Sequence, residues 1–281
     1  NKISRLNEIG IALSAEKQLP SLLEKILKGA KELTGADGGS LYRVTSRQSL
    51  RFEVISTDSL NIAMGGTTGE AITFPEIPLQ TGAGENLANV VSCAVNESRV
   101  INIEDVYKTK DYDFSGTRDF DQNTGYRTQS ILTIPLENHE DDIIGALQLI
   151  NAVDESTGQV VPFSLEAQNL AKSLASQAAV ALTNQKLVDD LQLLFESFIQ
   201  LIATAIDEKS PYTGSHCRRI PVLTMMLAEA CHDIAKGALG EFSMSDQDRY
   251  ELRTAAWLHD CGKITSPEYV MDKATKLETI F

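Results

Sequence analysis

The chain has 281 residues, of which 42% are hydrophobic and 23% are charged, enough for one large or two ordinary globular domains. Its formal net charge of −14 argues against nucleic acid or an anionic membrane surface as the main partner, because both would repel it. Because there is no Cys-x-x-Cys spacing and no apolar run near the roughly 20 residues of a membrane span, we expect a cytoplasmic protein with no membrane contact in this stretch.

The first half of the chain alternates between helical and extended patterns. Apolar periodicity predicts helices over 3–13, 19–33 and 86–97, and strands over 40–44, 50–55, 100–103, 130–135 and 143–151. The polar stretch 108–122 is predicted to be a loop that covers a pocket, and 65–84 a Gly-rich loop. Strands joined by short connections predict an α+β domain with a mostly antiparallel sheet.

One long helix is predicted from Ser164 onward, because no Pro or Gly occurs before Pro211. Two lines of residues follow heptad spacing in it: Leu174, Ala181, Val188, Phe195 and Ile202, and between them Gln177, Asn184, Leu191 and Phe198. This spacing predicts a homodimer through a parallel pair of linker helices. The alternative is that one side of the helix packs on its own domain.

The last part of the chain is predicted to be all-helical, with helices over 216–235 and 246–259 after an interruption at Ser210–Gly214. The predicted organisation is an N-terminal helix over 1–19, a strand-rich domain over 20–163, a linker helix over 164–205 and an all-α domain over 206–281.

Three residues of this all-α domain, His216, His259 and Asp260, are candidate metal ligands if the helices that carry them pack side by side. Imidazole nitrogen with carboxylate oxygen suits manganese, iron or zinc, and a carboxylate can bridge two ions. Two ions about 3.5–4 Å apart suit phosphodiester cleavage. The alternative is a helix-end histidine capped by its neighbouring aspartate. A second pair, His232-Asp233, has no Gly beside it and is interpreted as a solvated helix end.

These residues lie in two longer motifs, Tyr212-Thr-Gly-Ser-His-Cys-Arg-Arg219 and Leu258-His-Asp-Cys-Gly-Lys-Ile264. The motifs resemble the start of an HD-GYP domain, a subclass of the HD phosphohydrolases. The resemblance implies an all-α, metal-dependent phosphodiesterase that acts on cyclic di-GMP in bacteria. It implies His216 and His259 as metal ligands, Asp260 as the bridging ligand and Lys263 as the cation beside the phosphate.

Two departures from that family refine the expectation. Tyr212 stands where members with three metals carry a glutamate, which favours two ions, iron or manganese. The family's later His-His-Glu and Gly-Tyr-Pro motifs, which supply further ligands, have no counterpart in this sequence. We therefore expect this chain alone to be inactive and the activity to belong to a longer protein.

The first domain resembles a second family through its stretches 36–43, 102–105, 120–132 and 144–151, above all Thr124-Gly-Tyr-Arg-Thr128. It is similar to the GAF domains of cyclic-nucleotide phosphodiesterases and cyclases. The resemblance implies that Ser40, Asp121, Thr124 and Thr128 line a purine-nucleotide pocket, since hydroxyls and carboxylates can bind base edges.

GAF domains that bind cyclic nucleotides carry a lysine and an aspartate where this chain has Ala152 and Ala167, so their buried ion pair cannot form here. The pocket then either works without the pair or binds another small-molecule effector; alternatively, the domain serves only dimerisation. The two resemblances together predict a sensor-regulated hydrolase of a cyclic dinucleotide. The alternatives are a non-catalytic sensor and dimerisation module, or an HD hydrolase of another nucleotide such as a mixed cyclic dinucleotide.

Overall fold

The computed structural model describes residues 2–209, 216–234 and 236–267, in two compact units that comprise 1–186 and 187–281. The helices are α1 Lys2–Ala15, α2 Leu19–Thr34, α3 Val90–Asn96, α4 Ser115–Thr124, α5 Leu165–Lys209, α6 His216–His232 and α7 Asp246–Leu258, followed by a short 3₁₀ helix Cys261–Thr265. The strands are β1 Ala36–Val44, β2 Ser49–Thr57, β3 Ile62–Gly65, β4 Ile77–Pro78, β5 Gln80–Thr81, β6 Gly84–Glu85, β7 Ile101–Ile103, β8 Ile131–Glu137, β9 Ile143–Val153 and β10 Val160–Val161. The predicted interruption at Ser210–Gly214, with Tyr212, lies outside the described residues.

The first unit is built on one sheet with the strand order β3-β2-β1-β9-β8-β7, in which neighbouring strands are antiparallel. Strand β9 lies in the middle and is mostly buried, because both faces of the sheet are covered. An α+β domain with an antiparallel sheet and a long helix is therefore confirmed.

Two apolar cores lie on the two faces of this sheet. The larger contains residues of α1, α2 and the first half of α5 together with strand residues such as Leu149. The smaller contains residues of α3, β7 and neighbouring loops, among them Val91 and Phe114. This second core adjoins the cavity described below.

Helix α4 begins inside the stretch 108–122, which the sequence predicted to be a polar loop, and extends two residues beyond it. Among its ten residues, only the side chain of Asp121 is fully buried, so the helix lacks the apolar stripe that marks most helices. It ends at Gly125, which adopts a left-handed conformation with φ 72°. The polar sequence was correct about exposure and wrong about backbone structure.

Helix α5 has 45 residues, as the sequence predicted. The first half of the predicted heptad seam is wrong, however, because Leu174 and Ala181 are buried in the core of the first unit. In the second unit, α5 contributes Ala203 and Ile206 to a small core that also contains Cys217, and its Ile199 is buried as well. None of the helices in the described ranges has an apolar stretch long enough to cross a lipid bilayer.

Gly145 in β9 lies close to the backbone of β1 at the centre of the sheet, and substituting it tests this packing. A Cβ atom at Gly145 would lie 2.2 Å from the backbone oxygen of Tyr42, so the strands must shift to admit it. We expect Gly145→Ala to lower the free energy of opening of β1 and β9 by about 1–3 kcal/mol, measured by hydrogen exchange. Gly82→Ala is the control, since a Cβ there would have no neighbour within 4 Å. Equal protection in the two variants would contradict this.

Candidate functional site

His216, His259 and Asp260 come together in the second unit, and we call them the His-Asp cluster. His216 Nε2 lies 3.2 Å from His259 Nε2 and 3.6 Å from Asp260 Oδ2, and His259 Nε2 lies 3.2 Å from the same Oδ2. The candidate ligand atoms all lie within 4.8 Å of one another. The cluster is half-buried, and Asp260 is its most enclosed member.

Two packed helices bring the cluster together. His216 is the first residue of α6, while His259 and Asp260 directly follow the end of α7. The α7 N-terminus is fixed by a capping box between Ser245 and Asp248. The Arg249 guanidinium of α7 donates to both carboxylate oxygens of Glu229 in α6, at 2.8 and 3.2 Å. The side-by-side packing of the two helices on which the sequence prediction depended is thus supported by this ion pair.

The protonation of His259 suits metal binding. Its Nδ1 lies 2.8 Å from the carbonyl oxygen of Ala256, which can only accept, so Nδ1 carries the proton and donates. In the neutral ring, the lone pair of Nε2 is directed toward His216 and Asp260. Ligating histidines in proteins are commonly oriented in this way. Two imidazole nitrogens and a carboxylate are a donor set that fits manganese, iron or zinc.

Lys263 lies beside the cluster, with its Nζ 2.6 Å from Asp260 Oδ2. Burial raises the pKa of the Asp260 carboxyl, but Lys263 and the two imidazoles lower it more, so its pKa lies below the ordinary value. The carboxylate is therefore ionised at neutral pH, the form in which it can bind a cation. The predicted cation is placed next to the predicted bridging ligand.

Asp207, a buried carboxylate near the end of α5, was not predicted from the sequence. Its Oδ1 accepts the backbone N–H of Cys217, the residue after His216, at 3.3 Å. Its Oδ2 has no hydrogen-bond partner among the residues that the structure describes. Burial, with the Asp207 carboxylate, raises the pKa of Cys217 to about 11, so this thiol does not ionise at neutral pH. In the sequence, Asp207 is marked only as an acidic residue that directly follows Ile206, and the structure shows that Ala203 and Ile206 are buried.

His232 does not join the cluster. Its Nδ1 accepts the backbone N–H of Met244 at 3.1 Å, which holds the loop before α7 against the end of α6. The sequence interpreted this histidine as a solvated helix end. The structure agrees that it lies outside the candidate metal site but gives it a structural contact.

A cavity of about 320 Å³ lies in the first unit, between the sheet and α3 and α4. Its wall carries aromatic rings, including the Phe52–Phe74 pair with centroids 5.6 Å apart. Polar groups in the wall come from Ser40, Thr128 and Gln148, among others. An apolar cavity with a few polar groups is the usual form of a small-molecule site.

Of the four residues predicted to line this pocket, Ser40 and Thr128 do so. Asp121 lies directly behind Thr128: its carboxylate accepts the Thr128 hydroxyl and N–H at 2.8 and 2.9 Å, and the Tyr107 hydroxyl at 2.7 Å. Thr124 is exposed at the end of α4, where its hydroxyl donates to the carbonyl of Phe120. The structure thus brings together three of the four residues and leaves Thr124 outside.

Neutral amides lie beside Ala152 and Ala167, the positions at which the sequence lacks the expected ion pair. Asn151 is buried, with φ 55°, and its Oδ1 accepts the N–H groups of Gln129 and Ser130 at 2.7 and 3.2 Å. Asn102 Nδ2 donates to Gln168 Oε1 in α5 at 3.2 Å and to a neighbouring backbone carbonyl. These hydrogen bonds connect the sheet to α5 and to the segment that carries Thr128.

Tyr126 closes the cavity on the side of β1. Its hydroxyl donates to Asp37 Oδ2 at 2.7 Å, and burial, together with that carboxylate, raises the pKa of the phenol. Asp37 also accepts the hydroxyl of Ser59. The segment after α4 is therefore tied to the sheet at both Asn151 and Asp37.

Comparison with known proteins agrees with this architecture. A cGMP-specific 3′,5′-cyclic phosphodiesterase of Drosophila mojavensis is 32% identical over 142 residues, which are 48% of this chain and 12% of the relative. A 3′3′-cGAMP-specific phosphodiesterase 3 of Vibrio cholerae is 36% identical over 89 residues, 30% of this chain and 17% of the relative. The chain thus spans less than a fifth of the length of either relative.

The structure of a GAF domain from a phosphoenolpyruvate-protein phosphotransferase of Coxiella burnetii superimposes with a TM-score of 0.51 at 14% identity, covering 68% of this chain and 97% of that domain. At this identity the likeness concerns the fold alone. Residues 18–182 match the GAF domain family, more than half of the 281 residues. With the antiparallel sheet, its flanking helices and the cavity between them, this match shows that the chain belongs to the GAF domain family.

Proposed function

We propose that this chain is the sensor and part of the catalytic region of a metal-dependent phosphodiesterase that hydrolyses a cyclic dinucleotide. The observation that carries the proposal is the His-Asp cluster, because three separate residues offer ligand atoms within 4.8 Å of one another. A helix-end histidine capped only by its neighbour does not require His216, which comes from a different helix.

The chain's own residues would hold the metal and orient the substrate. His216 and His259 would bind through Nε2 and Asp260 through a carboxylate oxygen, while Ala256 keeps the His259 ring in the required tautomer. A bound divalent metal, two ions of iron or manganese in the proposal, would activate water and neutralise phosphoryl charge. Lys263 would exchange its contact with Asp260 for a non-bridging phosphate oxygen, a change that needs only a side-chain movement.

Two substrates are proposed for this site. Cyclic di-GMP follows from the resemblance of the His216 and His259 motifs to HD-GYP domains. The mixed dinucleotide 3′3′-cGAMP is the second candidate, supported by similarity to the Vibrio cholerae relative named for that substrate. Both have the same two phosphodiester bonds, so the His-Asp cluster would serve either.

The cavity of the first unit is proposed to bind the regulatory small molecule. Relatives named for cyclic GMP hydrolysis support a cyclic nucleotide, and the aromatic wall with Ser40 and Thr128 would accept a planar base. The hydrogen bonds of Asn151 and Asn102 would transmit the binding of a ligand in the cavity to α5, without an ion pair at positions 152 and 167.

The hydrolase proposal is tested on the intact natural protein, purified anaerobically and loaded with Mn²⁺ or Fe²⁺. The double variant His259→Ala, Asp260→Ala removes two of the three clustered ligands, so we expect it to lose metal and to hydrolyse cyclic di-GMP and 3′3′-cGAMP more than about 100-fold more slowly. His232→Ala is the matched control, since this histidine lies outside the cluster. Unchanged activity in the double variant would refute the assignment. A wild-type protein that holds no transition metal would favour a non-catalytic sensor.

The sensor proposal is tested by calorimetric titration of this chain with cyclic AMP and cyclic GMP. We expect one of them to bind, and Thr128→Val to weaken binding about 5-fold to 100-fold, because it removes a hydroxyl from the cavity wall and a donor from the buried Asp121. Thr124→Val is the matched control, outside the cavity, and should change affinity less than about 2-fold. If neither nucleotide binds, the cavity serves another ligand or none.

A further inference from the structure

Helix α5 carries a regular apolar stripe in the second unit that the structure leaves uncovered. It consists of Leu187, Leu191, Leu194, Phe198 and Leu201, which we call the zipper face, and each of these side chains is between 50% and 66% exposed. Their spacing alternates strictly between four and three residues. Such spacing is the pattern of a coiled-coil seam rather than of scattered surface residues.

The zipper face is separate from the side of α5 that packs within its own unit. Ile199, Ala203 and Ile206 are buried, and in the heptad defined by the zipper face they occupy the positions opposite the seam. Glu196, on the same side, bonds Arg253 of α7 at 3.1 Å. Packing on its own domain, the simpler explanation for an apolar helix, is thus satisfied by another stripe and leaves the zipper face unexplained.

We propose that the zipper face pairs with the same face of a second copy of this chain, parallel and in register. This inference rests on neither the metal site nor the ligand cavity. It replaces the seam predicted from the sequence, keeping the line of Leu191 and Phe198 but pairing it with Leu187, Leu194 and Leu201.

The residue types of the zipper face indicate which partner it binds. Leucine recurs every seven residues at 187, 194 and 201, the position at which it favours parallel dimers. The other line begins with the exposed Asn184, seven residues before Leu191, and a single asparagine there fixes register and a two-stranded state. The zipper face contains no charge although the chain carries a net charge of −14, so an apolar partner of matching spacing fits it best.

The exposed area agrees with a paired state. An aromatic side chain presents about 150–250 Å², so Phe198 at 57% exposure contributes on the order of 100 Å². Phe198, the four leucines of the zipper face, and Val188 and Phe195 on its flank each expose on the order of 100 Å², which amounts to on the order of 700 Å² per copy, close to the roughly 800 Å² that each partner of a stable interface buries. Monomers seldom leave an apolar patch of more than about 300–600 Å².

Single cysteines test the proposal, in a background with Cys231→Ser and Cys261→Ser because these native thiols are the accessible ones. Leu187→Cys, Leu194→Cys and Leu201→Cys should each form a disulfide-linked dimer in most of the protein under mild oxidation. The matched control is Leu193→Cys, whose position is 65% exposed against 66% for Leu194 but lies off the zipper face, and it should stay unlinked.

Light scattering gives an independent measurement of the oligomeric state, on chains that keep their native cysteines. We expect the unsubstituted chain to form a dimer. Leu194→Asp should raise the dissociation constant of this dimer at least 10-fold, whereas Leu193→Asp should leave it unchanged. A monomer, equal linkage of the Leu193→Cys control, or linkage only in mixtures of the Leu187→Cys and Leu201→Cys variants, which indicates an antiparallel pair, would each overturn the proposal.

Discussion

The burial of successive stripes of α5 is the interaction on which the architecture depends. In the first unit, Leu174 and Ala178 of this helix complete the core beneath the sheet. In the second, Ala203 and Ile206 supply most of a much smaller core. Helical stability in proteins comes mainly from such packing rather than from propensity. Each half of this 45-residue helix is thus held by packing within its own unit.

In the GAF domain, a network of neutral amide hydrogen bonds connects the sheet to α5 and to the cavity wall. Asn151 reaches three backbone groups around Thr128, and it adopts a positive φ that asparagine tolerates better than most residues. Neutral amides avoid the desolvation cost of burying two charges. Their strength therefore depends little on pH and salt, and the wall of the cavity is fixed by geometry rather than by charge.

The sequence anticipated features that depend on apolar periodicity and failed where polar contacts decide. The β8 and β9 strands followed directly from their apolar runs, and the unbroken α5 from the absence of Pro and Gly between Ser164 and Pro211. Helix α4 did not, because it is held by the Asp121 contacts and its Gly125 end rather than by an apolar stripe. Likewise, Thr124 and Thr128 have the same chemistry, and only the fold shows that one lies in the cavity wall and the other at an exposed helix end.

In the second unit, too, a polar contact could not be predicted from the sequence. Family motifs named His216, His259 and Asp260, but they gave no reason to notice Asp207, whose role is visible only as a bond to the N–H beside His216. That bond places α5 in direct contact with the first turn of α6. Because the stripe containing Ala203 and Ile206 is locked by burial, Asp207 cannot shift without disturbing this core. The end of α5 is therefore hydrogen-bonded directly to the α6 N-terminus, where a ligand of the candidate metal site begins the helix.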